Sequence, residues 1–334
     1  MFCLRNLMRM FAALCALPVL ATSAPAQEAV RIGIGFGLAF LPAYICDDLN
    51  FVEKYGKDAH LDLKVSYQRF MDAGSLQDAL GAGAIDMGPF GVAPLLAAWE
   101  KGKDTQRQML AVSGMTTLPP VLLTNRENVR TLADFRSGDR IAIPAPRAPQ
   151  LYLLQMQAEK VFGQYDLLRK QIVILPNADA ISTLAAGTGP VSGYFSSAPF
   201  TEIALGDGHI HKVLSESDVI GGKASFLIMG ATKAYVAAHP GVAEAVAKAM
   251  DEAARMIHDD PHHAAEIYLV HEPFKSLDVA AVAAIIEGIK DEFGSPVHGV
   301  QAFADFMGRH GELKTPPRSW KEIVAPALLN SPST

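Results

Sequence analysis

One stretch constrains this chain more than any other: Ser75 to Gly91, SLQDALGAGAIDMGPFG. Ser75 with Asp78 three residues on spells a capping box, and Leu76, Ala79 and Leu80 share a helical face. Gly81 and Gly83 supply the stop, because glycine enters the left-handed region without a Cβ penalty. Ala84-Ile85-Asp86-Met87 follows as a buried strand carrying one carboxylate. Gly88-Pro89-Phe90-Gly91 reads as a turn that opens the next helix, VAPLLAAWEKG. A strand that ends at a helix N-terminus offers free N–H groups and a positive dipole end to an anion.

The phrase returns about a hundred residues later. Ala180 to Gly187 is helix and stop, Pro190 to Phe195 is strand, and Ser196-Ser197-Ala198-Pro199-Phe200 turns into another helix. One such phrase is common in α/β proteins. Two predict a pair of similar α/β lobes whose strand ends face a shared cleft.

The chain has 334 residues, 50% of them hydrophobic, enough for two lobes with separate cores. Its formal net charge is −6 with scattered Lys and Arg, so no basic field is available for nucleic acid. Residues 1–26 read as a signal peptide: Arg5 and Arg9 form the positive region, residues 10–21 the apolar region, and Ala24-Pro25-Ala26 the cleavage site. Export with removal after Ala26 is expected. The apolar run is short for a membrane span, and Leu14 before Cys15 does not fit a lipoprotein signal. Cleavage leaves Cys46 alone, in an apolar stretch, as a core residue without a disulfide.

Val30 to Ile34 is the first mature strand, and residues 35–40 form the loop into a helix over 41–49. Phe36 and Phe40 in that loop are candidate apolar contacts. A dinucleotide site is not supported, because G-x-G-x-x-G is incomplete here. Residues 61–67 alternate as a half-buried strand, and 108–112 form another. Residues 115–120 are read as the crossing into the second lobe. There 121–124, 140–143 and 171–175 are strands, and Thr131 with Asp134 makes a capping box. Residues 144–150, PAPRAPQ, lead into a helix over 151–162. Arg147 just before that N-terminus is a candidate fork for a carboxylate or sulfonate. Residues 223–230 form the return strand, and everything after Thr232 is helical, with helices over 277–293 (begun by Ser276) and 320–329 (boxed by Ser319 and Glu322). The lobes are therefore 27–118 plus 224–334, and 119–223.

Two histidine-rich runs, 258–263 and His209-x-His211, invite a metal reading. A zinc site needs three or four converging ligands, and the first run falls at a helix turn, so no metal and no cofactor is expected. No G-x-S-x-G occurs for a serine hydrolase.

Several segments together resemble the nitrate/sulfonate/taurine class of ABC-transporter substrate-binding proteins. They are Phe70 to Trp99, Val129 to Phe135 with Gly138 to Pro144, and Gly311 to Lys314 with Pro317 to Trp320. The resemblance implies an α/β, type II periplasmic binding protein fold: two lobes joined by two hinge crossings, with a C-terminal helical wrap. It implies a monomer that closes on a small anionic solute and delivers it to an inner-membrane ABC permease. Carried onto this chain, the ligand loops fall at Phe36 and Phe40; at Phe70 and Asp72; at Phe90, Gly91 and Val92; at Arg147 and Gln150; and at Phe195, Ser196 and Ser197. Pro146-Arg147-Ala148-Pro149 replaces the serine/threonine-rich loop of many relatives. Phe195-Ser196-Ser197 replaces a tryptophan and an acid. Without that acid an amine has no acceptor unless Asp72 substitutes, so an anion without an amine, with an aromatic body, is preferred. Enzymes that resemble this scaffold, of pyrimidine-synthase or menaquinone-pathway type, and a binding protein feeding a sensor are the alternatives. The first enzyme type relies on a cysteine-rich motif that this chain lacks.

Overall fold

The computed structural model describes residues 27–146, 148–187, 189, 191–273 and 277–333. The signal-peptide residues, Arg147, Pro190 and Ser276 lie outside the described residues. Ten strands among those described are β1 (Glu28–Ile34), β2 (Leu63–Arg69), β3 (Met87–Phe90), β4 (Met109–Thr116), β5 (Val121–Thr124), β6 (Arg140–Ile143), β7 (Ile172–Ile174), β8 (Val191–Ser196), β9 (His211–Ser215) and β10 (Leu227–Thr232). They form two five-stranded sheets. Sheet A runs β2-β1-β3-β10-β4 and sheet B runs β7-β6-β8-β5-β9. The first three strands of each order are parallel and the last two alternate in direction. The two strands from the repeated phrase, β3 and β8, hold the central position of their sheets.

The helices are α1 (Leu41–Asp48), α2 (Phe51–Asp58), α3 (Ala73–Gly81), α4 (Val92–Lys101), α5 (Pro149–Phe162), α6 (Asn177–Ala186), α7 (Phe200–Leu205), α8 (Glu216–Ile220), α9 (Lys233–Ala238), α10 (Pro240–Asp259), α11 (Pro261–His271), α12 (Val279–Ile289) and α13 (Val300–Arg309). One apolar core lies between sheet A and α1, α10 and α11, and includes the fully buried Cys46. A second takes Leu76 and Trp99 beside sheet A, Leu122 and Ile141 from sheet B, and Phe303 and Phe306 from α13, so it is continuous between the sheets. A third fills the other face of sheet B. Among the described residues no helix is long and apolar enough to cross a membrane.

Several local expectations need correction. Gly88-Pro89-Phe90 is strand, not turn: it pairs antiparallel with Gly230, Met229 and Ile228. Its pairing with β1 ends at Met87, so Pro89 forfeits no ladder bond on that side. Asp72, not Ser75, caps α3, its Oδ1 accepting from Ser75 N at 2.9 Å. The lone carboxylate Asp86 pairs with Arg31, Nη2 to Oδ1 at 2.5 Å. The Thr131–Asp134 capping box is present. Asp278 caps α12, which stops at Ile289. Ser319 caps Lys321, and the expected last helix is two 3-10 turns, Trp320–Glu322 and Pro326–Leu328. That tail is extended between them because it lies along β4. Ala111 N donates to Ile323 O and Ala325 N to Ala111 O, both at 2.7 Å. Strand β9 and helix α2 were not foreseen.

Two segments outside helix and strand, 117–120 and 221–226, link the sheets. Glu292 ties both: its carbonyl accepts from Thr117 N at 2.7 Å, and its carboxylate accepts from Thr117 Oγ1 and pairs with Lys223 at 3.0 Å. Glu216 adds a third tie, its Oε1 accepting from Ala224 N at 2.8 Å.

Candidate functional site

The C-terminal ends of β1, β2 and β3 and of β6 and β8 open onto the loops from which open α/β sheets bind ligands. Helices α4 and α5 start there, from different sheets, and their first turns adjoin. A Cβ placed on Gly91, the residue before α4, would lie 3.2 Å from Pro149 Cγ at the start of α5. Gly91 has an ordinary extended backbone, so its small size serves this close approach and not an unusual φ. The N–H groups of Val92 and Ala93 have no acceptor among the described residues. Two helix starts therefore present positive dipole ends at one place.

Gln150, on the first turn of α5, is 1% exposed, and its Oε1 is buried without a hydrogen-bond partner among the described residues. A buried acceptor left unpaired costs roughly 1–3 kcal/mol, so this oxygen suits a donor brought by a solute. Ser196 Oγ is committed to Val121 O at 3.2 Å and Thr201 Oγ1 at 2.7 Å. Ser197 is buried at the end of β8, its carbonyl accepting from Thr201 N at 3.2 Å.

The expected aromatic wall is only partly assembled. Phe90 is 4% exposed and Phe195 fully buried, and both rings belong to the continuous core because their strands are central. Phe70 packs partly buried against that core, and Phe40 lies over Gly35, where a Cβ would meet its Cζ at 2.6 Å. Phe36 stays 44% exposed. Asp72 is exposed and engaged as the α3 cap; hydrogen bonds from Ser75 hold its carboxyl below the usual range. Arg147 lies outside the described residues.

A network foreign to the sequence expectations braces the first loop. Glu272 Oε1, just after α11, accepts from Gly37 N at 2.9 Å and from Tyr44 OH at 2.7 Å. Tyr44 OH also reaches Gly35 O at 3.0 Å. Burial and the Glu272 contact push the Tyr44 phenol well above its ordinary value, so it remains a donor. Tyr44 stacks on His271, with ring centroids 4.5 Å apart and planes 2° from parallel. The signal available in sequence was slight: His271-Glu272 follows a helix and carries no periodic partner.

The histidines of the 258–263 run lie at the surface beside carboxylates, while His211 Nε2 meets Val129 O at 2.8 Å. His258 meets Asp259 at 3.2 Å and Asp291 at 3.6 Å, and His262 and His263 face Glu266. Among the described residues no cluster of His, Cys, Asp and Glu is arranged to hold a metal ion.

The strand order, the paired lobes and the helix starts between them define a periplasmic-binding-protein fold. The chain belongs to the NMT1-like family, whose family model matches residues 23–270. No curated protein matches it in sequence. The periplasmic aliphatic sulphonate binding protein SsuA of Escherichia coli is similar in structure, with TM-score 0.70 and 18% identity, covering 91% of this chain and 99% of that one. The alkanesulfonate-binding protein SsuA of Xanthomonas axonopodis pv. citri, bound to MOPS, gives 0.66 at 21% identity over 90% and 99%. The periplasmic nitrate-binding protein NrtA of Synechocystis PCC 6803 gives 0.56 at 15% identity over 77% and 69%. At these identities the likeness establishes the fold.

Proposed function

We propose that the chain is the periplasmic solute-binding component of an ABC importer, and that it captures a small organic anion between its lobes. The observation that carries this reading is the meeting of the α4 and α5 N-termini, the first turns of two helices from different sheets. The two positive dipole ends suit an electron-rich group, and the Gln150 Oε1 accepts from any hydroxyl or N–H that the solute carries. The sulfonate- and nitrate-binding neighbours support the same class of solute. The lobes are residues 27–118 with 224–334, and 119–223; the crossings at 117–120 and 221–226 act as the hinge. The ligand contacts are drawn from Phe36, Phe40, Phe70, Gly91, Val92, Arg147, Gln150 and Ser197. A ligand that touches both lobes favours the closed state by its differential affinity, and an inner-membrane permease takes the closed form. The protein is exported, cleaved after Ala26 and monomeric; N-terminal sequencing of the periplasmic form tests the cleavage.

Thermal unfolding of residues 27–334 against nitrate, alkyl and aryl sulfonates, taurine, aromatic carboxylates and pyrimidines tests the central claim. A true ligand at a hundred times its Kd stabilises by about 2.7 kcal/mol and is recovered unchanged. Turnover of the compound, or no shift with any anion, overturns the reading.

A further inference from the structure

Sheet A carries, at the C-terminal end of β2 and against Phe36 of the first loop, a cation that local sequence pattern does not reveal. Arg69 is the last residue of β2, directly before Phe70, and is half-buried. Its guanidinium is held from several sides. Nη1 donates to His271 O at 3.0 Å and Nη2 to His271 Nδ1 at 2.7 Å. The ring centroids of Phe36 and Tyr44 lie 5.3 and 4.8 Å from its central carbon. A guanidinium has no acceptor, so His271 Nδ1 is the acceptor and the ring proton sits on Nε2, which donates to Asp48 Oδ1 at 2.9 Å. His271 is in turn clamped by its stack on Tyr44.

This bracing leaves the guanidinium incompletely used. Two of its five N–H groups are engaged, and among the described residues no carboxylate pairs with it. Arginine binds anions best when its fork is already oriented, because the long side chain then loses little freedom on binding. Phe36 covers one side of the cation yet remains 44% exposed. An apolar body can therefore rest on Phe36 while its anionic head enters the free edge of Arg69.

We propose that Arg69 is the specificity-determining cation of the solute site and Phe36 the platform for the ligand's apolar body. The solute is then an organic anion, not a bare inorganic one. The proposal rests on the solute-binding reading above.

The test uses matched charged and neutral ligands: benzenesulfonate with benzenesulfonamide, benzoate with benzamide, and pentanesulfonate with pentanesulfonamide, with nitrate as an anion without a body. Titration calorimetry on residues 27–334 is expected to show a preference for the charged member of a pair of roughly 10- to 100-fold, the worth of a charge-assisted hydrogen bond. Arg69→Gln brings that ratio near one and leaves the neutral member's affinity in place. If Arg69 only supports the fold, both affinities fall together and the ratio survives, which overturns the assignment. Nitrate binding as tightly as the organic anions overturns the role of Phe36. Should Arg69→Gln not fold, phenylglyoxal modification of the wild-type protein with peptide mapping decides the matter. Ligand protection of Arg69 supports the proposal, and an unchanged modification rate defeats it. Failure of the wild-type protein to bind any anion sinks the solute-binding reading itself, and the Arg69 proposal with it.

Discussion

Gly114 shows how tightly single positions are set near the hinge. A Cβ there would lie 2.2 Å from Pro296 O, a backbone atom that cannot rotate away. The same glycine donates its N–H to Ser295 O at 2.7 Å. Gly114→Ala is expected to destabilise by about 1–3 kcal/mol, the usual cost of overpacking. A lowered urea midpoint at unchanged slope would show it; an unmoved midpoint would mean the 295–296 segment yields easily. Residues of the site differ in how far they announce themselves in sequence. Gly91 and Gln150 stand at helix starts that glycine, proline and apolar spacing mark locally. Arg69 is invisible by the same means, because its partner His271 is 202 residues away. Phe90 and Phe195 lie buried in the core, and sequence cannot foretell that: a phenylalanine near a strand end looks the same whether the next layer is solvent or core. Asp72 reads as a ligand acid until its cap is seen.

At the scale of elements, the two helix–glycine–strand phrases carried the fold, since their signals lie within about twenty residues each. What escaped was set by tertiary neighbours. The Gly-Pro-Phe strand exists because β10 pairs with it, and the tail runs extended because β4 accepts it. The second crossing has a pH dependence of its own. Glu216 is 3% exposed, and burial pushes its carboxyl up to about 8; the Ala224 N–H opposes the rise, Glu292 adds to it and Lys223 opposes it. The folded state then holds a proton that the unfolded chain, at the ordinary value of 4.5, has lost. Between those two values the unfolded state binds fewer protons, so stability falls as pH rises. Glu216→Gln keeps the acceptor for Ala224 N and removes the titration. We expect it to match wild type near pH 4 and to be more stable by at least about 1 kcal/mol above pH 8. Parallel melting temperatures at both pH values would show that Glu216 stays charged in the fold.

Across the whole molecule, the sheets are joined by more than the crossings. Helix α13 packs Phe303 against Tyr152 and Phe306 against Tyr165, while Arg309 and His310 both reach Glu159, each at 2.8 Å. With one core continuous between the sheets, calorimetry is expected to record a single unfolding transition with equal calorimetric and van't Hoff enthalpies. Two resolved transitions would show that the lobes melt separately. The tail along β4 has a different consequence, which concerns synthesis. Sheet A takes strand β10 only after all of sheet B has been made. Its β4 edge, MLAVSGMT, remains an open hydrogen-bonding template until residues 293–325 arrive to cover it. A nascent chain therefore cannot complete sheet A, begun by β1, until β10 and then the segment 293–325 have been made.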